Sequence, residues 1–498
     1  MIGKAPRPLA ILLLLTILVR LPFLFEAVID WDEASFLLVG DDILRGHLPY
    51  IHAWDNKPPL AFLPFALVLA AFGENGVGSR ILGMVLVFLG AWFLYRAALR
   101  FVGGKAALWG SVLLVLYASA PPGSFGTMSE HLLLPLLCLI MHRLLEPDAS
   151  GRHLLGTGIV LGAAVLVRLN MAYACVGLAA GLLVLSSRGI VRRVSLVALG
   201  ALAPLVLVAL PYGITGNLDL FVRSVFRAPL AYAESGWLSR PEVLWVMARD
   251  SVRWGSLFLT LPFLGGVFLL VRDARGGPVS GRLLGAWAIL FASILVSMTG
   301  SRRYFDHYFI QVLPFVAVAA GRLFETVVAT RWRPALLIAL LVPLRPVAVQ
   351  CKSLALELAQ TGSLFGGPVY SAVDYLKERN VAGDTLYFTE DHIGYLLTDT
   401  RAPSLFAHPS LVINEPILRV VLGPEASTRS EILSIFEKRP RFVWKKETVW
   451  YMRSFPEAEA LLGRLLDREY RLVARFGPIQ IYERGERGRR DPTAEPTE

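Results

Sequence analysis

Apolar runs of roughly 16 to 23 residues recur along the first 350 positions, separated by short polar turns. Runs of that length suit helices that cross a bilayer and satisfy their own backbone hydrogen bonds. In order they predict about eleven crossings: 9–26, 79–101, 106–121, 131–145, 154–167, 172–187, 195–215, 256–271, 283–300, 308–324 and 334–350. The run 60–73 holds about 14 apolar residues, too few to cross, and is expected at the outer interface or as a re-entrant piece. A loop of about 40 residues is expected over 216–255 on the outer side. From about 351 the long runs stop. "VYSAVDYLKERN", "STRSEILSIFEK" and "PEAEALLGRLLDREY" have helical spacing, while "DTLYFT", "RFVWKK", "RLVARF" and "IQIYER" read as strands. The pattern predicts a polytopic all-α membrane domain over 1–350, with a first outer loop at 27–78. A soluble α/β domain over 351–484 follows, without a catalytic signature, then a disordered tail at 485–498.

Charge orients this pattern. Arg96, Arg100 and Lys105 follow one run, and Arg143 and Arg152 flank the next inner turn. Arg188, Arg192 and Arg193, then Arg272, Arg275 and Arg282, then Arg322, Arg331 and Arg333 mark the others as cytoplasmic. Lys4 and Arg7 place the N-terminus on the cytoplasmic side. No small-residue cleavage site follows, so the first run is read as a retained helix. The C-terminal domain then faces outward. Composition agrees, with 55% hydrophobic and 18% charged residues and a mean hydropathy of +0.56. The net charge of +10 invites a nucleic-acid partner, but most basic residues sit in membrane turns rather than along a groove, so that class is rejected. Three cysteines imply no disulfide framework.

Polar residues outside the basic turns collect on the outer side, where they cost free energy unless paired or solvated in a cavity. In "IDWDEASF", Asp30 and Glu33 have capping-box spacing and predict a helix through "ASFLLVGDDILRG", whose Phe36, Val39, Ile43 and Leu44 suit a membrane surface. Asp32 has no capping role. In a first helical turn it stays ionised, as a general base requires. In "HAWDNKPPLAF", Asp55 precedes Lys57, which the prolines fix in extended backbone as a phosphate partner or a snorkelling lysine. In "TMSEHLLLPLL", Thr127 or Ser129 is a cap and Glu130 a second cavity carboxylate, or part of plain capping. "GSRRYFDHYFIQVLP" offers Arg302, Arg303, His307 and Tyr308 on the outer side, against the charge trend. Arg168 breaks that trend too, reaching the cavity or pairing within the bundle.

Together these stretches resemble the GT-C superfamily of polyprenyl-phosphate-dependent glycosyltransferases, nearest the protein O-mannosyltransferase and lipid A aminoarabinose transferase branch. Asp32 and Glu33 match that family's first-loop pair; Lys57, Pro58 and Pro59 match its Lys-Pro-Pro. Glu130 stands where the family often has an acid, and "RRYFDHYF" matches its basic-aromatic stretch. The resemblance implies a donor sugar on a polyprenyl phosphate, an outer-face acceptor (lipopolysaccharide, cell-wall glycan, lipid or protein), contact with membrane lipid, and inversion at the anomeric carbon. It implies the plasma (inner) membrane, with the C-terminal domain periplasmic or extracellular. Asp32 would be the base, with Glu33 or Glu130 as substitute or acceptor ligand. Lys57, Arg302, Arg303, His307 and Tyr308 would hold the donor phosphate, and Asp55 and Arg168 are further candidates. No cofactor is expected, and no ligand spacing demands a metal, although the carboxylates admit a divalent ion. The rival class is a transporter or flippase of a lipid-linked or anionic substrate. Transporters favour midplane charge and repeated halves, and no repeat shows here. A non-catalytic receptor is disfavoured by the outer-loop acids.

Overall fold

The structure is a computed structural model that describes residues 6–121, 123–146, 150–185, 188–253, 255, 257–276 and 279–485. Lys4, and the predicted tail from 486 onward, lie outside the described residues. The chain opens with α1 (Pro6–Arg20), α2 (Trp31–Leu44) and α3 (Leu63–Phe72). Then come α4 (Gly76–Ala98), α5 (Gly104–Tyr117), α6 (Ser129–Leu144), α7 (Gly151–Val167), α8 (Ala172–Leu185) and α9 (Ile190–Ile214). Three short helices, α10 (Leu218–Val222), α11 (Ala228–Glu234) and α12 (Arg240–Arg253), precede α13 (Leu257–Gly276), α14 (Gly281–Met298), α15 (Leu313–Val327), α16 (Arg333–Leu341) and α17 (Arg345–Thr361).

Each of the predicted crossings coincides with a helix or a near-continuous helical run. Among the described residues, six of these are long and apolar enough to span a membrane by length and composition, the last of them running Arg333–Thr361. The others are shorter. α5 has 14 residues, but much of it is buried between neighbours rather than facing outward. Close packing is set by small residues. Gly158 and Gly162 of α7 face α9, where a Cβ on Gly158 would stand 2.1 Å from the Val197 carbonyl oxygen. Only glycine permits that approach.

Three expectations need correction. Residues 216–255 are not a loop: α10 to α12, with a π-turn at Arg223–Arg227, fill most of the segment. Prolines and polar residues broke the apolar run there, but the helices bury Phe221, Ala228 and Val243 against the bundle. The last span does not end at 350. α17 continues to Thr361 and stops at Gly362, whose φ of +71° closes it, so the composition change falls inside a helix. Finally, the first half of the apolar face of α2 packs inside the protein, while Leu44 at its end stays exposed. Phe36 and Val39 are fully buried, and Phe36 packs on Phe62 and Phe65 just before and within α3.

The C-terminal region holds α18 (Pro368–Lys377), α19 (Gly394–Thr398), α20 (Glu415–Leu422), α21 (Thr428–Glu437), α22 (Pro456–Glu469) and one sheet. Its strands are β1 (Tyr387–Phe388), β2 (Phe442–Lys446), β3 (Tyr470–Phe476) and β4 (Ile479–Arg484), ordered β1-β2-β4-β3. β1 runs parallel to β2, and the other pairs are antiparallel, with Val443 opposite Tyr482. This region is not tethered only through α17. Trp54, in the segment between α2 and α3, forms a parallel bridge with Phe406: Trp54 N donates to the Leu405 oxygen at 2.8 Å and Ala407 N to the Trp54 oxygen at 2.9 Å. The indole Nε1 donates to Ser224 Oγ at 2.9 Å.

Candidate active site

The start of α2 is built as its sequence implies. Asp30 is in extended backbone and its Oδ1 accepts from Asp32 N at 2.9 Å, which caps the helix. Glu33 does not complete a capping box. It is buried and pairs with Arg80 of α4, Nε to Oε2 at 2.9 Å, and accepts from Ser79 Oγ at 2.8 Å and Thr127 N at 3.0 Å. Arg80 Nη1 also donates to the carbonyls of Phe23 and Glu26. Glu33 therefore ties α2, α4 and the turn before α6 together, which leaves it no free oxygen for the base role expected of it.

Asp32, one residue earlier, points the other way. Its Oδ2 lies 3.4 Å from Lys57 Nζ, and its Oδ1 lies 3.7 Å from His408 Nε2. All three side chains are 17% exposed, so bulk water screens their charges only weakly. Burial, the largest influence, opposes the charge on Asp32, but the neighbouring charges together, Lys57 first among them, outweigh it, and the carboxyl is held well below its ordinary range. Burial likewise opposes the Lys57 ammonium, yet Asp32 and Asp55 raise its pKa above the usual lysine value. Asp55 Oδ1 accepts from Lys57 N at 3.2 Å and sits 3.9 Å from Lys57 Nζ, so Asp55 sets the loop that carries the lysine. Lys57 Nζ thus lies between two carboxylates.

A second ion pair lies beside the first. Glu130, fully buried in the first turn of α6, meets Arg168 Nη1, which also donates to Ser129 Oγ at 2.9 Å. The Arg168 guanidinium lies over the Tyr308 ring at 4.7 Å, and His307 Nε2 stands 3.8 Å from Glu130. Burial pushes His307 and His408 below the ordinary histidine range. Neither Thr127 nor Ser129 caps α6. That role falls to His131, whose Nδ1 accepts from Met128 N.

Asp32, Asp55, Lys57, Glu130, Arg168, His307 and Tyr308 thus gather in one region. Arg302 and Arg303 do not join it. Arg302 is exposed, with φ +52°, and its Nε donates to the Leu238 oxygen. Arg303 bonds Ser235 and stacks over Tyr232 and Trp237 at 4.0 and 4.5 Å. Both cations fasten the α11–α12 segment. The sequence reading missed His408, because the C-terminal region carries no motif of its own. The pairing of His408 Nδ1 with Ser410 Oγ at 2.9 Å fixes the ring that faces Asp32.

The helical bundle with a capping C-terminal region, and a site of loop-borne acids and cations, define a polytopic membrane protein of the GT-C fold. The resemblance drawn from the first-loop motifs is matched by independent comparisons. A family model described as dolichyl-phosphate-mannose-protein mannosyltransferase matches residues 56–212, which include Lys57, Glu130 and Arg168. The chain is similar in structure to ArnT from Cupriavidus metallidurans bound to undecaprenyl phosphate, with 16% identity, a TM-score of 0.66, and coverage of 96% of this chain and 98% of that one. It is also similar to the oligosaccharyltransferase of Archaeoglobus fulgidus tethered to an acceptor peptide, with 13% identity, TM-score 0.54 and coverage of 94% and 72%. The same archaeal enzyme with an inhibitory peptide and a dolichol-phosphate matches at 12% identity and TM-score 0.50, over 97% and 74%. No match is found among curated proteins.

Proposed function

We propose that the protein is an integral-membrane glycosyltransferase that moves a sugar from a polyprenyl-phosphate donor, of the undecaprenyl phosphate kind, to an acceptor at the outer face of the plasma (inner) membrane. The acceptor class is a lipopolysaccharide, a cell-wall glycan, a lipid or a protein. One observation carries the reading: an ionised Asp32 and a protonated Lys57 meet at 3.4 Å in a largely buried site, beside the Arg168–Glu130 pair. That undecaprenyl phosphate and dolichol-phosphate accompany the structural neighbours supports it.

In this reading the acceptor hydroxyl oxygen attacks the anomeric carbon, and its proton passes to Asp32. The bond from that carbon to the phosphate oxygen breaks, and its electron pair leaves with the polyprenyl phosphate, which gains a second negative charge. Single displacement inverts the carbon. Lys57 meets the new charge as a point cation. Arg168 has five donors, and those not spent on Ser129 and Glu130 suit phosphate oxygens. Donors held ready in this way contribute about 3–4 kcal/mol each where one has been removed from comparable sites. The cytoplasmic N-terminus and outward C-terminal domain belong to the same proposal, since the site shares one side with that domain.

The test uses purified protein in detergent, where transport across a membrane has no meaning. Consumption of a lipid-linked sugar with release of polyprenyl phosphate is expected, falling by about 10²–10⁴ in Asp32→Asn. Undiminished turnover in that variant removes Asp32 from the reaction. Movement of such a lipid across liposomes without any consumption would return the molecule to the transporter class.

A further inference from the structure

The end of α2 and the turn after it gather three side chains outside the reaction centre. Asp42 stands ten residues beyond Asp32, roughly 15 Å along the helix. His47 Nδ1 lies 2.7 Å from Asp42 Oδ1, and His52 Nδ1 lies 3.6 Å from the same oxygen. The two imidazole rings are 4.1 Å apart. One ligand atom from each residue falls within 4.8 Å of the others. Asp42 Oδ2 is buried and has no hydrogen-bond partner.

A single hydrogen bond explains His47. It does not explain a second imidazole turned to the same oxygen with its ring against the first. Two nitrogens and a carboxylate oxygen converging in this way form a zinc ligand set, whose bonds of about 2.0–2.2 Å place neighbouring ligand atoms roughly 3.3 Å apart. The backbone is shaped for the approach. Gly46 takes φ +91° to reverse the chain after α2, and His47 N donates to the Asp42 oxygen at 3.2 Å. The same turn then holds Tyr50, whose hydroxyl donates to the Lys57 carbonyl at 2.6 Å.

We propose that Asp42, His47 and His52 bind one transition-metal ion, zinc by its ligand chemistry, which staples the end of α2 to the turn ahead of Lys57. The His52 side chain is 56% exposed, so the fourth position opens to water. The site stands apart from the transfer reaction and does not depend on it.

The test uses the full chain in detergent, purified through a tag without histidine and stripped with a chelator. Zinc is titrated against a competing chromophoric chelator, and the melting temperature is followed with and without zinc. The wild-type chain is expected to take up one more zinc than His47→Gln/His52→Gln, and zinc is expected to raise the melting temperature of the wild type alone. Loss of the exposed ligand in His52→Gln, which leaves the fold intact, should weaken zinc binding by at least the roughly 10–100-fold that loss of an outer hydrogen-bond partner costs. Equal zinc uptake and equal thermal shifts in wild type and His52→Gln overturn the proposal.

Discussion

A carboxylate in a largely buried place is ordinarily driven towards its neutral form. At Asp32 the neighbouring charges, Lys57 first among them, together reverse that outcome, and the group stays charged through the neutral range. Because its folded pKa lies below its unfolded one, ionised Asp32 adds stability at every pH above about 3.9, lost only as pH falls further. His408 behaves oppositely in charge. Burial lowers its pKa from the ordinary value of about 6.5, so the ring is neutral at pH 7 and gains a proton only in more acid solution. A protonated His408 would pair with Asp32 and take away its basicity. Transfer should therefore hold steady from pH 7 to 8 and decline on acidification below about 6.5, with the decline moved or removed in His408→Gln. A pH–rate profile identical in both proteins would assign the acid limb to His307 instead. The sequence exposed Asp32, Lys57 and Glu130 because acids and lysines next to membrane-length runs need a reason to be there. It concealed His408, since "FAHPSLV" has no local mark and the role arises only when distant segments meet. It misassigned Arg302 and Arg303 because their aromatic partners, Tyr232 and Trp237, lie in a stretch that read as loop.

Helices carry these residues, and one junction between them decides whether the site exists. Glu33 and Arg80 are both about 2% exposed at their side chains and join α2 to α4. Arg20, at the end of α1, adds bonds from Nη1 to Ser119 Oγ at 2.8 Å and from Nη2 to the Phe125 oxygen at 2.7 Å, anchoring the turn that leads into α6. Cutting one member of a buried ion pair leaves the other charge without a partner, which costs about 3–5 kcal/mol. Arg80→Met should thus lower stability by about that amount, read by thermal or denaturant unfolding in detergent, and by more than Asp32→Asn, which leaves Lys57 in a less buried place with Asp55 still beside it. A stable Arg80→Met protein with lost turnover would instead place Glu33 in the chemistry. The positions of the helices were legible because hydrophobic length and the basic turns both register them. The helices of 216–255 were not, since short surface helices are held by contacts such as Phe221 and Val243 against the bundle rather than by their own pattern.

At the scale of the whole molecule, the site is completed from both ends of the chain. Residues 30–57 supply Asp32 and Lys57, and a segment some 350 residues later supplies His408. What holds these segments in register is Trp54. It is fully buried, bridged to Phe406 through its backbone and bonded to Ser224 through its indole. Its ring also meets Phe406 edge-on at 5.5 Å. The bridge lies two residues from His408 and three from Lys57, so a shift there moves both partners of Asp32. Trp54→Ala removes the ring and leaves a cavity, a change that costs about 3–5 kcal/mol in a packed interior. The loss should fall on the docking of the C-terminal region rather than on the helical bundle. Limited proteolysis should then cut more readily in the glycine-containing stretch 362–367 that follows α17, and turnover should drop because His408 leaves Asp32. Trp54→Phe keeps an aromatic ring but gives up the Ser224 bond, about 1 kcal/mol, and part of the indole's packing, so its resistance to cleavage should fall between those of wild type and Trp54→Ala. If Trp54→Ala kept both its cleavage pattern and its turnover, the C-terminal region would be held by other contacts, and Trp54 would not be what keeps His408 against Asp32.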